Sequence, residues 1–181
     1  MNFVAFVAAL IVGLMLAENR HSRRHEAILR SRGAVEPPGD VYWALAWLYP
    51  AAFLLMALEG LWRAQTTALP ASPSGPGPSW AAAGILLFAA SKGLKYWAIR
   101  TLGERWTFRV LVLPGRPLVA TGPYRYVDHP NYIAVVGELV GAAMMLGARV
   151  SGPIMLGVFG IALWARIRFE SRILRSIARS T

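Results

Sequence analysis

Residues 122–146 read GPYRYVDHPNYIAVVGELVGAAMML, an aromatic and basic loop that runs straight into an apolar segment. A His-Pro-X-Tyr element, His129 to Tyr132, stands at the mouth of that segment, where a helix would leave the membrane. This placement suggests a catalytic or ligand-binding end rather than a simple anchor. From Tyr132 to Leu146 the segment carries one charged residue, Glu138, and a Gly137-X-X-X-Gly141 spacing that lets another helix approach closely.

Outward from this stretch the chain is membrane-like. Of its 181 residues 56% are hydrophobic and 15% charged, and the mean hydropathy is +0.45, which describes a small polytopic membrane protein rather than a soluble domain. Uncharged apolar stretches near the length needed to cross a hydrocarbon core occur at Met1–Ala17, Val41–Leu58 and Val150–Ala165. Two more include charges: Trp80–Ile99 with Lys92 and Lys95, and Tyr132–Leu146 with Glu138. The fold expected is all-α, with about five transmembrane helices. Residues 1–100 hold helices one to three and a juxtamembrane connector, and 101–181 hold a loop, a helical hairpin and a basic tail.

The net charge of +10 is explained by topology. Lys and Arg gather in residues 20–32, 92–125 and 166–179, against single arginines, Arg63 and Arg149, in the alternate loops. With five spans this places the amino terminus outside and the carboxyl terminus in the cytoplasm. The partners implied are membrane lipids with anionic headgroups, not nucleic acid. An arginine-rich composition with two lysines points to a prokaryotic source, hence a bacterial inner membrane. The chain has no cysteine, which removes disulfides and thiolate chemistry. His21 and His25 lack a third ligand and are crowded by Arg20, Arg23 and Arg24, so a solvated juxtamembrane helix is expected and no metal.

Local readings follow the same logic. Residues 18–40 are expected to lie along the cytoplasmic surface as a basic connector ending at Pro37-Pro38-Gly39. Trp43, Trp47 and Tyr49 suit an interfacial belt. The Pro70–Pro78 stretch cannot be regular structure and reads as an external linker. Glu138 is expensive in a span unless paired, with Lys92 or Lys95 as partner. Glu59 is expected to reach water at an external membrane end. Arg105 and Trp106 either brace the loop or touch headgroups.

Only Ala148 and Arg149 lie near the turn after Leu146, so the last two spans should form an antiparallel hairpin. The hairpin returns Arg166 and Glu170 to the face that holds His129. One helical turn apart, Arg166 and Glu170 form either a surface ion pair or, with His129, Tyr124 and Tyr132, a cytoplasmic site.

Here the sequence closely resembles the isoprenylcysteine carboxyl methyltransferase family, which includes bacterial lipid-methylating enzymes. The resemblance runs from about Leu102 to Leu174. It rests on Leu102 to Trp106, Pro114 to Val119, the Gly122 to Tyr132 run, and Arg166 to Glu170. It implies a cytoplasmic pocket for S-adenosyl-L-methionine held by Arg116, Pro117, Leu118, Val119, Tyr124, His129, Pro130, Asn131 and Tyr132, closed by Glu170. Arg109 matches another cofactor contact, and Arg166 falls where the family positions its acceptor. Many relatives carry two adjacent acids where this chain has Glu170 followed by Ser171, which would weaken cofactor binding if the second acid helps hold it.

The residue chemistry agrees. A cationic sulfonium with an amino-acid end and an adenine needs carboxylate partners, aromatic faces and an apolar wall. Methyl transfer is an in-line displacement that requires alignment and calls for no metal. The activity implied is an S-adenosylmethionine-dependent O-methyltransferase. Its acceptor is a lipophilic or prenyl-like molecule presenting a carboxylate, phenol or enol, which Arg166 would hold. Two rivals are an NADPH-dependent sterol-type reductase and a non-catalytic lipid-binding protein.

Overall fold

The computed structural model describes residues 3–66, 77–113 and 119–178, with side chains as far as residue 173. Five long helices follow in order: α1 Phe3–Ser31, α2 Tyr42–Thr66, α3 Pro78–Leu102, α4 Pro130–Leu146 and α5 Ser151–Ala178. Short 3-10 turns occupy Gly103–Arg105 and Gly122–Arg125. The described residues contain no strand, only an isolated antiparallel bridge between Val35 and Val112. Three helices, α1, α2 and α5, are long and apolar enough to cross a membrane, and α4 is a shorter apolar helix. The expected Pro70–Pro78 linker lies almost wholly outside the described residues; α3 begins at Pro78, where a proline's missing N–H costs nothing.

Two helix pairs position the site. α3 and α4 approach closely at their glycines: a Cβ on Gly141 would lie 2.8 Å from the Gly84 carbonyl oxygen and 2.8 Å from the Phe88 nitrogen. The Gly137/Gly141 spacing therefore serves helix contact, as read from the sequence. α4 and α5 form the antiparallel hairpin, turning through residues 147–150. Glu59 was expected to reach water; instead its carboxylate, only 11% exposed, caps the start of α5. It accepts from the backbone N–H of Arg149 at 2.9 Å and of Ser151 at 2.7 Å, and from the Ser151 hydroxyl at 2.6 Å. The orphan donors of a helix start, and the positive end of its dipole, account for a carboxylate there.

α1 also departs from expectation. It runs unbroken through Ser31, so residues 18–31 continue the first helix instead of turning away as a separate surface segment. Nothing in that stretch breaks a helix: it holds neither proline nor glycine, and the chain turns only at Gly33. The apolar core between helices comprises, among others, Ile11, Met56, Leu139, Met145, Phe159 and Leu163. Large apolar side chains such as Phe6, Leu54, Leu86 and Ile161 remain exposed, a surface suited to hydrocarbon.

Inside this core lies a charged knot. Lys92 donates to Glu18 at 2.5 Å, and Lys95 donates to Glu18 at 3.1 Å and to Glu138 at 2.9 Å. Tyr49 donates its hydroxyl to Glu138 and accepts from Lys95. Glu138 Oε1 lies 2.8 Å from the Lys95 ammonium but takes no aligned hydrogen bond from it. Two ammoniums face two carboxylates, so the knot is neutral, as a low-dielectric interior demands. Glu138 thus pairs with both lysines. Tyr49 corrects the belt reading, since its hydroxyl turns inward while Trp43 and Trp47 stay exposed.

Candidate functional site

A cavity of about 860 Å³ runs from the start of α4 toward this knot. Of the side chains named from the sequence, Arg109, Val119, Tyr124, His129, Asn131, Tyr132, Arg166 and Glu170 line it. Pro130 is buried as the first residue of α4 and shapes the loop instead. Arg116, Pro117 and Leu118 lie outside the described residues. The loop into the site starts at Gly122, whose φ of +57° and contact with Thr101 leave no room for a side chain: a Cβ would sit 2.3 Å from the Thr101 hydroxyl.

At the centre stands Tyr132. Its hydroxyl accepts from Arg166 Nε at 3.2 Å and donates to Glu170 Oε2 at 2.5 Å, bridging two residues that make no ion pair with each other. The i to i+4 surface pair considered from the sequence is therefore replaced by a relay through a third side chain. The His129 ring stacks on Tyr132 with centroids 5.3 Å apart, and its Nδ1 lies 3.8 Å from Glu170 Oε2. Its Nε2 shares a 3.3 Å hydrogen bond with the Ser171 hydroxyl, so Ser171 orients the imidazole. Burial pushes the phenol of Tyr124 well above its ordinary range, with the charge of Glu170 adding to the shift, so Tyr124 stays a neutral donor.

Arg166 is 4% exposed and each of its guanidinium nitrogens is engaged. Nη1 donates to Asp40, Nη2 to the Phe108 carbonyl at 2.7 Å, and Nε to Tyr132. Asp40 went unremarked in the sequence because one acid in a Pro-Gly loop has no periodic signature. It also takes the Tyr42 backbone N–H at 3.0 Å.

A strap over residues 106–113 covers one side of the cavity. Trp106 is 2% exposed, its carbonyl accepts from His25 Nδ1 at 2.9 Å, and its indole N–H reaches Asn131 at 3.5 Å. Trp106 thus braces the loop, and His25 is a structural donor rather than a solvated residue. Ser22 donates to Glu26 while accepting the Phe108 N–H at 2.8 Å. Val35 and Val112 exchange backbone hydrogen bonds at 3.0 and 2.9 Å, joining the strap to the segment after α1. Arg109 spends its charge on Glu36 at 2.6 Å and Glu26 at 3.7 Å while lying 4.3 Å over the Tyr42 ring. Burial alone would raise the Glu36 carboxyl, but hydrogen bonds and charge from Arg109 and Arg30 outweigh it and hold the group below its usual range.

In chemical terms the site offers an acceptor carboxylate, stacked aromatic faces and a neutral phenol at one end of a cavity whose middle is walled by Leu45, Val135, Phe159 and Leu163. That donor set suits a small molecule with an amino or hydroxyl group and a cationic or aromatic part.

The family described as "Isoprenylcysteine carboxyl methyltransferase (ICMT) family" matches residues 83–176, just over half of the chain. An uncharacterized protein of Bacillus subtilis, YpbQ, is 29% identical over 173 residues, covering 96% of each chain. An uncharacterized protein of Haemophilus influenzae is 26% identical over 171 residues, covering 94% of each. No solved structure gives a significant match.

Proposed function

The chain belongs to the isoprenylcysteine carboxyl methyltransferase family, a family of membrane methyltransferases, and from that premise we propose that it carries a methyl group from S-adenosyl-L-methionine to an oxygen of a lipophilic acceptor. The observation that carries this reading is the Tyr132 hydroxyl bridging Arg166 and Glu170 in the lining of a largely apolar cavity. When bound, S-adenosylmethionine supplies an electrophilic methyl on a cationic sulfonium. Glu170 is the partner for its amino or hydroxyl groups, Tyr132 and His129 present aromatic faces to its charge, and Val119 contributes apolar wall. Arg116 to Leu118 and Asn131 complete the proposed cofactor contacts, and Arg166 orients the acceptor oxygen.

Acceptor access is supported by three side chains that line the cavity and are also exposed, Leu16, Trp43 and Trp47. Their exposure supports a cavity mouth between α1 and α2 that faces lipid, through which an acceptor would enter sideways while the cofactor arrives from the cytoplasm. The positive-inside charge pattern supports a cofactor face on the cytoplasmic side of a bacterial inner membrane, with the amino terminus on the other side.

The test is methyl transfer from isotopically labelled S-adenosylmethionine to a lipid extract of the host, with calorimetric titration of both S-adenosylmethionine and NADPH. His129→Ala and Glu170→Gln are expected to abolish transfer in folded protein. Unchanged activity in both, or tight NADPH binding without S-adenosylmethionine binding, rejects the assignment.

A further inference from the structure

The engagement of Arg166 bears on what the acceptor can be. A guanidinium has five N–H donors and binds a carboxylate best through two of them in parallel. Here all three nitrogens already hold partners within the chain, and one of these partners is itself a carboxylate. Asp40 and Arg166 are 6% and 4% exposed, so their charges cancel out of reach of water. Arg166 lines the cavity and Asp40 does not. A carboxylate arriving through the cavity would meet a guanidinium already neutralised from behind, with Glu170 as a further negative charge beside it. Of the other cavity cations, Lys95 is matched by Glu18 and Glu138 and Arg109 by Glu36 and Glu26, while Arg23 donates to the Asn19 amide oxygen.

Building on the methyl-transfer reading above, we propose that Asp40 is a specificity-determining residue. By filling the anion-binding capacity of Arg166 with the chain's own carboxylate, it sets the site to receive an uncharged hydroxyl of phenol or enol type, whose proton passes to the cavity-lining His129 imidazole as its oxygen takes the methyl and the methyl–sulfur bond breaks, and to discriminate against a carboxylate acceptor. The remaining guanidinium N–H groups donate single hydrogen bonds, which suit a neutral oxygen. An added anion would leave two carboxylates on one guanidinium in a largely apolar cavity, where unbalanced charge is most costly.

The test uses two probes that differ by the one methyl group that removes the charge, N-acetyl-S-farnesylcysteine and its methyl ester. Both are titrated into the full-length detergent-solubilised protein without methyl donor and followed by tryptophan fluorescence, since Trp43 and Trp47 line the cavity. The unmodified protein is expected to bind the ester at least as tightly as the acid. Asp40→Asn, which keeps the oxygen that accepts from both the Tyr42 N–H and Arg166 Nη1 but removes the charge that neutralises the guanidinium, should move the ratio toward the acid by about tenfold or more. Asp40→Asn combined with Arg166→Gln replaces the pair by neutral side chains and should return the ratio to its starting value. An unmodified protein that prefers the acid by about tenfold, or an Asp40→Asn ratio within about threefold of the unmodified one, overturns the proposal. The first comparison needs no variant, so it decides even if Asp40→Asn does not fold. Because binding is read without methyl donor, a correct ratio alongside absent S-adenosylmethionine binding would remove the methyltransferase reading and leave the role of Asp40 in place.

Discussion

Glu138→Gln tests whether the interior knot is one electrostatic unit. Glu138 is fully buried and faces Lys95 at 2.8 Å, Lys92 at 3.2 Å and the Tyr49 hydroxyl. Glutamine keeps the shape and an acceptor oxygen but leaves two ammoniums against the single carboxylate of Glu18. Removing one partner of a buried charged group costs about 3–5 kcal/mol, because the surviving charge has neither water nor a counterion. At about 2–4 °C per kcal/mol for a chain of this size, the melting temperature should fall by about 6–20 °C. Adding Lys95→Met restores neutrality, leaving the Lys92–Glu18 pair at 2.5 Å intact. The double variant should therefore be less destabilised than the sum of the single ones by at least about 2 kcal/mol. Unfolding in mixed micelles followed by far-ultraviolet circular dichroism measures all four corners of the cycle. Additivity within about 0.5 kcal/mol would show that the side chains act independently and refute the reasoning.

Tyr132→Phe removes the hydroxyl that joins Arg166 to Glu170; with hydrogen bonds to charged groups worth about 1.5–3 kcal/mol, S-adenosylmethionine affinity should drop by about ten- to a hundredfold in calorimetry while the helical content is kept. Glu59→Ala uncaps α5 and should cost about 1–2 kcal/mol in unfolding experiments with cofactor affinity unchanged, since the cap lies at the opposite end of α5 from Glu170. Glu36 has a folded-state carboxyl pKa below its unfolded value, so the stability it contributes is present above the usual carboxylate pKa and is lost as pH falls through the lowered one; a pH series of melting temperatures should show that acid loss diminished in Glu36→Gln.

The hairpin and its consequence were legible because they follow from short-range rules. A short turn after an apolar run forces the next helix back, and helical spacing then carries Arg166 and Glu170 to the height of His129 and Tyr132. The Glu138–lysine pairing was legible for a similar reason, since a lone acid in a span needs a partner and only two lysines exist. What could not be read was anything that depends on where the first helix ends. Because α1 continues through Ser31, Glu18 enters the core knot and Ser22 and His25 reach the 106–113 strap, contacts separated by more than seventy residues in sequence. Glu59 was misread because its partners are backbone N–H groups some ninety positions away, which no side-chain pattern records.

That dependence on α1 also divides the labour along the chain. The residues that meet at Tyr132 all fall within 83–176, the part matched by the family, whereas Asp40, Tyr42, Trp43 and Tyr49 fall before it. On the proposed reading the earlier half supplies the mouth an acceptor passes, while the later half builds the end where a methyl donor is proposed to sit. Substitutions at Leu16, Leu45 or Trp47 should accordingly change which acceptor is used, seen as altered KM among lipids of different chain length, without altering cofactor affinity. A loss of cofactor binding in Leu45→Ala equal to that in Tyr132→Phe would mean that the two halves form one inseparable site, and that the cavity's lipid-facing side has no independent part in choosing its substrate.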